Sequence, residues 1–223
     1  SPKKQVVTPA LKINDQPIES VDNFVYLGIS INKNLSWKIQ TDKIARKISK
    51  IICVLSKLKN TIPTFILKTI YNSLISCHLN YGILVWGQSL GPLEKLQKRA
   101  IRLLTNSKYN AHTNPLFKSM KILKIEDMRR IQELVFFYKF SKNMLPVYFK
   151  TEYIRFLESN YTNRHRFSLL FPRFRHEYFR QNLRYSIVNT INNAPITYLE
   201  KVHTHSLKGF RNYIKKGHNF EIP

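Results

Sequence analysis

Residues able to do covalent or metal chemistry are few and scattered in this chain. Its four aspartates, Asp15, Asp22, Asp42 and Asp127, include no close pair of the kind that holds two metal ions for phosphoryl transfer. Asp127 stands beside Glu126, but at an expected helix N-terminus, where the helix dipole alone favours acids. Among seven histidines, His203 and His205 in "VHTHS" would share one side of a strand. No third ligand of suitable spacing accompanies them, so no metal site is expected. Cys53 and Cys77 are too few and too isolated for a disulfide scaffold or a zinc site, and they fit a reducing, intracellular compartment. No Gly-rich phosphate loop, Ser-centred elbow or Cys-His spacing is present. The expectation is a chain with no catalytic residue and no cofactor, inactive as an enzyme when it stands alone.

What the chain has in abundance is positive charge. Against 13 Asp and Glu stand 37 Lys and Arg, a formal net charge of +24. Such a chain repels itself and attracts polyanions, so nucleic acid is the expected partner and an anionic membrane surface the lesser one. No run approaches the roughly 18 continuous apolar residues of a membrane span; the densest are "GILVWG" and "LVFFY". A hydrophobic content of 43% is that of a globular protein rather than a disordered one. The opening residues, "SPKKQVV", form neither a signal peptide nor a start, which suggests a piece of something longer.

The cations are arranged on periodic elements. Residues 8 to 36 read as strands, with a turn signal at Asn14-Asp15 and a second run, "FVYLGISI", rich in β-branched and aromatic residues. Gly28 in the middle of that run weakens a strand and implies that something approaches its backbone closely. Ser36 is a plausible N-cap for a helix beginning at Trp37. On that helix Ile44, Ile48, Ile51, Ile52, Leu55 and Leu58 share one face, while Lys43, Arg46, Lys47, Lys50 and Lys57 gather about 120° away. A solubilising face normally mixes signs, and this segment has one acid, Asp42, so the stripe favours phosphate contact over simple solvation. Pro63 opens a second helix carrying Ile66, Leu67, Ile70, Leu74 and Ile75, which ends as "CHLNYGILVWG" bends through Gly82 and Gly87. Pro92 starts a third, with Leu93, Leu96, Ala100, Leu103 and Leu104 inward and Lys95, Lys98, Arg99 and Arg102 outward. A short helix capped by Asn114 and a longer one stopped at Pro146 follow. Residues 160 to 223 hold eleven Lys or Arg against three Glu. Their stretch "NRHRFSLLFPRFRHEYFRQNLRY", with Arg173 and Arg175, suits either RNA stacking or an amphipathic surface whose aromatics are core. "LEKVHTHSLKGFRNYIKKG" reads as one final basic helix. The fold expected is mainly α within the α+β class, with a short antiparallel β-hairpin region at the N-terminus followed by a helical bundle and a basic helical C-terminal region.

Taken in order, "FVYLGISINKNLSW", "KISKIICVLSKLK", "LKTIYNSLISCHLNYGILVWG", "LEKLQKRAIRLLTNSKYNAHTNPLF", "LKIEDMRRIQELVFFYKFSKNMLP" and "SLKGFRNYIKK" form a series. The series resembles the C-terminal part of reverse transcriptases from LINE-type, jockey- or CR1-like non-LTR retrotransposons, most specifically over residues 22 to 146. The resemblance implies three parts: the end of the palm with its primer grip (1–36), a thumb-like helical bundle (37–110) and a basic helical C-terminal region (111–223). Tyr26, Leu27 and Gly28 would correspond to the primer grip. Lys43, Arg46, Lys47 and Lys50, with Lys95, Lys98, Arg99, Arg102, Arg173 and Arg175, would contact nucleic acid. The implied partners are a primer-template duplex, element RNA and target DNA, and the upstream fingers and palm of the same polymerase, with no membrane. The compartments implied are nucleus and cytoplasm. The family's catalytic Tyr-x-Asp-Asp is absent from this chain, so Mg²⁺ is expected only in that catalytic palm. The chain also reads "INNAP" (191–195) where relatives often have Trp-Asn-x-Leu-Pro. The alternative function is a host-retained remnant that binds RNA or protein without polymerase activity.

Overall fold

The computed structural model describes residues 11–149, 153–156, 169–174 and 182–220. The chain opens with two antiparallel hairpins, each closed by two residues. In the first, β1 (Lys12–Ile13) and β2 (Gln16–Pro17) meet around Asn14 and Asp15, both at positive φ (49° and 62°), as that dipeptide predicts. In the second, β3 (Asn23–Tyr26) pairs with β4 (Ile29–Asn32), and Tyr26 faces Ile29 across the loop Leu27-Gly28. Leu27 has φ 47° and Gly28 φ 78°, the left-handed pair that a type I′ turn demands. Gly28 therefore lies in the turn between two strands, rather than interrupting a single run. A Cβ built on it would lie 3.8 Å from the Tyr81 ring, ordinary contact, so the turn's backbone and not crowding calls for glycine.

Helices follow. The first, α1 (Lys38–Leu58), buries Ile44, Ile48, Ile52 and Leu55 on the face the periodicity predicts. It begins one residue later than expected: Trp37 occupies the capping position, and Ser36 lies outside it. Trp37 is half-buried against the core. Beyond Pro63 a single helical rod runs as α2 (Thr64–Ile70), a π-helical turn (Tyr71–Ser76) and α3 (Cys77–Asn80). Its buried line is Leu67, Tyr71, Ile75 and Leu79, whereas Ile66 and Leu74, expected inward, are exposed. A four-residue spacing drifts by about 40° per step around an α-helix of 3.6 residues per turn. The wider π turn takes that drift back and keeps all four on one side.

The rod breaks at Gly82 (φ 64°), where a Cβ would come within 2.7 Å of Ile29 Cδ1, and resumes as α4 (Ile83–Trp86). Next come α5 (Gly91–Leu104), α6 (Thr113–Met120) and α7 (Ile125–Ser141). His112 rather than Asn114 precedes α6, without a side-chain cap, and α7 stops at Ser141, short of Pro146. A 3₁₀ turn (Val147–Phe149) and then α8 (Leu183–Asn192), α9 (Ile196–Thr204) and α10 (Leu207–Phe220) complete the described chain. The final basic helix expected from sequence is thus two, parted where His205 turns extended (φ −105°, ψ 151°). His203 lies in the last turn of α9, not on a strand.

Among the described residues apolar side chains collect in two clusters. One runs from Ile44 to Met128 and centres on α1 against α5 and the rod, with Trp86 and Tyr71 among its fully buried members. The other runs from Ile131 to Ile214, where α7 packs on α8 and α10 and Tyr138 stacks on Phe210 at 5.0 Å. Helix α7 belongs to both, with Ile125 and Met128 in the first cluster and Ile131 onward in the second, and Leu123 packs against both. Inside the second cluster the Glu133 carboxylate is fully buried. It accepts hydrogen bonds from Arg129 (2.7 Å), Thr190 (2.5 Å) and the Ser186 hydroxyl, the full partnering that a buried charge requires.

Candidate functional site

The second hairpin is fastened to the helices at three points, and these create a cavity. Buried Gln40 of α1 accepts a hydrogen bond from the Ser30 N–H through Oε1 (2.9 Å). Ile29 packs over Gly82. The Tyr81 hydroxyl donates to the Leu27 carbonyl at 2.6 Å. The turn Leu27-Gly28 is thereby held beside the first three turns of α1. Between them lies a cavity of about 430 Å³ lined by Leu27, Gly28, Gln40, Lys43, Ile44, Lys47, His78 and Tyr81. Among the described residues no carboxylate lines it.

The electrostatics of this cavity are one-signed. Lys43 is half-buried and Lys47 exposed, and the half-buried His78 looks in from α3. Its imidazole is held below the ordinary histidine value, by partial burial first and by the Lys47 charge second. Next to the cavity on α1, Arg46 and Lys50 are exposed, and Arg46 Nε donates to the Asp42 backbone carbonyl (3.3 Å). Among the described residues, ion pairs join Lys33 to Asp22, Arg129 to Glu133 and Arg130 to Glu126; none involves a cation of α1 or α5.

Of the residues singled out from sequence, Leu27, Gly28, Lys43 and Lys47 converge on this cavity. Tyr26 is exposed at the end of β3, next to the turn. Lys95, Lys98 and Arg99 are exposed on α5, which packs along α1. The C-terminal ends of these two helices meet where Lys59 Nζ donates to Asn106 Oδ1 at 3.2 Å. Arg102 differs from its neighbours on the helical wheel: it is half-buried, donates through Nε to the Ala111 carbonyl (2.9 Å) and lies over the Tyr109 ring. It holds the 105–111 loop, so its guanidinium is partly committed to the fold. Arg173 is exposed, remote in sequence from the cavity, and Arg175 lies outside the described residues. So does most of the arginine- and aromatic-rich stretch from 163 to 185.

His78, Tyr81 and Gln40 were not singled out from sequence. A polar residue on an otherwise apolar helix face at position 40, and a tyrosine just before a glycine at 81–82, are the signals that could have found Gln40 and Tyr81; His78 carries none. The comparisons give no help in naming the site: the chain matches no protein-family model, no curated protein and no solved structure. Among the described residues no three His, Cys, Asp or Glu side chains gather as a metal site, and no helix is long and apolar enough to cross a membrane.

Proposed function

We propose that this chain is a non-catalytic C-terminal portion of a retrotransposon reverse transcriptase, one that grips the backbone of a primer-template duplex. In this reading Lys43, Arg46, Lys47 and Lys50 neutralise phosphates, and the Tyr26-Leu27-Gly28 turn positions the primer end for an active site carried on another part of the polymerase. The observation that carries it is the fastening of the hairpin turn beside a helix face of unpaired cations, with no acid between them. Contacts of this sort position a duplex without reading its sequence. The exposed Lys95, Lys98 and Arg99 on the neighbouring helix support a second backbone contact, and the C-terminal region would engage element RNA or target DNA.

Counterion release makes the reading measurable. Each phosphate neutralised on duplex DNA contributes about −0.9 to the slope of log affinity against log salt, so four contacts on α1 give about −3 to −4. Binding of a mixed-sequence duplex is measured across a salt series for the parent and for a variant with Lys43, Arg46, Lys47 and Lys50 all changed to Glu. The slope should flatten by about that amount and affinity should fall at every salt concentration. Superimposable curves would remove the basis of the proposal.

A further inference from the structure

We infer that Lys43, Lys47 and His78 form a single site for a phosphodiester group, and that filling it is coupled to protonation of His78. The inference rests on the duplex-gripping reading for the identity of its ligand. Its geometry stands apart from that reading.

The cavity is walled by the turn that Tyr81 holds, and Lys43, Lys47 and His78 line it with no carboxylate among the described residues. A one-signed concavity of that composition attracts an anion. His78 faces Lys43 and Lys47 from α1. The neutral Tyr81 and Gln40 complete the polar lining, and Gly28 closes it from the hairpin. From α7, on another side of this segment, the contact is a neutral pair in which Gln132 Nε2 donates to Asn80 Oδ1 (3.2 Å). The exposed thiol of Cys77 adjoins His78 in the chain and donates to the Ser73 carbonyl. Partial burial acts first against protonation of the ring, and the Lys47 charge second.

A phosphodiester oxygen seated among these groups reverses that balance. Its negative charge offsets Lys47 and stabilises the imidazolium, and an opposite charge within about 4–6 Å raises such a group by roughly 1–3 pH units. Binding then takes up a proton. Affinity is flat at high pH, where His78 is neutral both free and bound. It rises as pH falls through the bound-state value, and levels off below the free-state value. A displacement of one pH unit is tenfold in affinity at that lower plateau. Because a phosphodiester stays singly ionised throughout, the ligand contributes no slope of its own.

The test follows the His78 ring by proton NMR across pH 5 to 8, in the free full chain, with saturating mixed-sequence duplex, and with sulfate at matched ionic strength. Duplex affinity is measured at pH 5.5 and 8 for the parent and His78→Gln. The expected result is an upward displacement of the His78 titration with duplex, and a three- to tenfold tighter parent complex at pH 5.5. In His78→Gln that ratio should fall towards one. A duplex that binds while the His78 titration stays in place, or a variant that keeps the parent's ratio, overturns the inference and leaves the duplex-gripping reading standing. If the duplex fails to bind, that reading fails. An upward displacement with sulfate then still supports the anion site, and an unmoved ring overturns it. Displacement by phosphatidylcholine vesicles containing one-third phosphatidylserine, but not by duplex, overturns the assignment to a nucleic-acid backbone.

Discussion

Gln97 should be the most costly polar residue of the first cluster to replace. Its side chain is 2% exposed and serves three elements at once. Nε2 donates to the Tyr71 hydroxyl oxygen (2.9 Å) in the π turn and to the Leu123 carbonyl (3.0 Å). Oε1 accepts from the Ile125 N–H (2.9 Å), which has no intrahelical partner at the start of α7. Gln97→Met keeps the volume and removes every one of these bonds. Leaving a buried donor or acceptor unsatisfied costs about 1–3 kcal/mol, and two of the three groups are fully enclosed. The expected loss is therefore about 3 kcal/mol, or about 6–12 °C in Tm for a chain of this size. Gln97→Ala adds a cavity and should lose about 1–2 kcal/mol more. Tyr71→Phe leaves Nε2 with Leu123 as a partner and should cost only about 1 kcal/mol. Urea denaturation with an unchanged slope measures all three. A Gln97→Met protein within about 0.5 kcal/mol of the parent, or a Tyr71→Phe loss equal to it, would refute the reasoning.

Tyr71 also makes an alkaline prediction. Burial pushes its hydroxyl up to about 12, with the Gln97 hydrogen bond pulling the other way, against an ordinary value of 10.0. Between those values the unfolded chain has lost the proton and the folded one keeps it, so stability falls by about 1.4 kcal/mol per pH unit as pH rises through that window. Tyr71→Phe should flatten this part of a stability profile measured from pH 9 to 12, and an unchanged profile counts against the assignment. Gly82→Ala combines a positive φ with a 2.7 Å approach to Ile29 Cδ1, and should cost about 2–3 kcal/mol by thermal unfolding. At Gly28 a Cβ would make only ordinary contact and the backbone alone resists, so Gly28→Asn should be nearly neutral while Gly28→Val costs about 1–2 kcal/mol. Equal Tm values for the two Gly28 variants would show that the turn tolerates a β-branched residue.

The sequence by itself determined the class of fold, the first hairpin and the two-sided character of α1. Each of these is local. Asn-Asp adopts positive φ cheaply, and a helix sorts residues by a fixed angle, so burial of Ile44, Ile48, Ile52 and Leu55 leaves Lys43, Lys47 and Lys50 on another face whatever lies beyond. The second hairpin was harder to read, because leucine at φ 47° is an uncommon turn residue and made "FVYLGISI" look continuous. The π turn was hidden for a related reason: its signal is a spacing of four, close enough to helical to pass as an ordinary α-helix until Ile66 and Leu74 are found exposed. Gln97 read as one more polar residue because its three partners come from distant parts of the chain. The break at His205 carries no Gly or Pro to announce it.

Only the tertiary structure decided which cations act together. Tyr81 reaches the Leu27 carbonyl across 54 residues and His78 meets α1 from the far end of the rod, so the cavity they share exists in no local segment. Arg102 shows the converse: it belongs to the basic face of its own helix, yet the returning loop draws it inward to Ala111. Periodicity assigns a side chain to a face of its element. Long-range contacts alone settle whether that face meets solvent, a loop or a second set of charges.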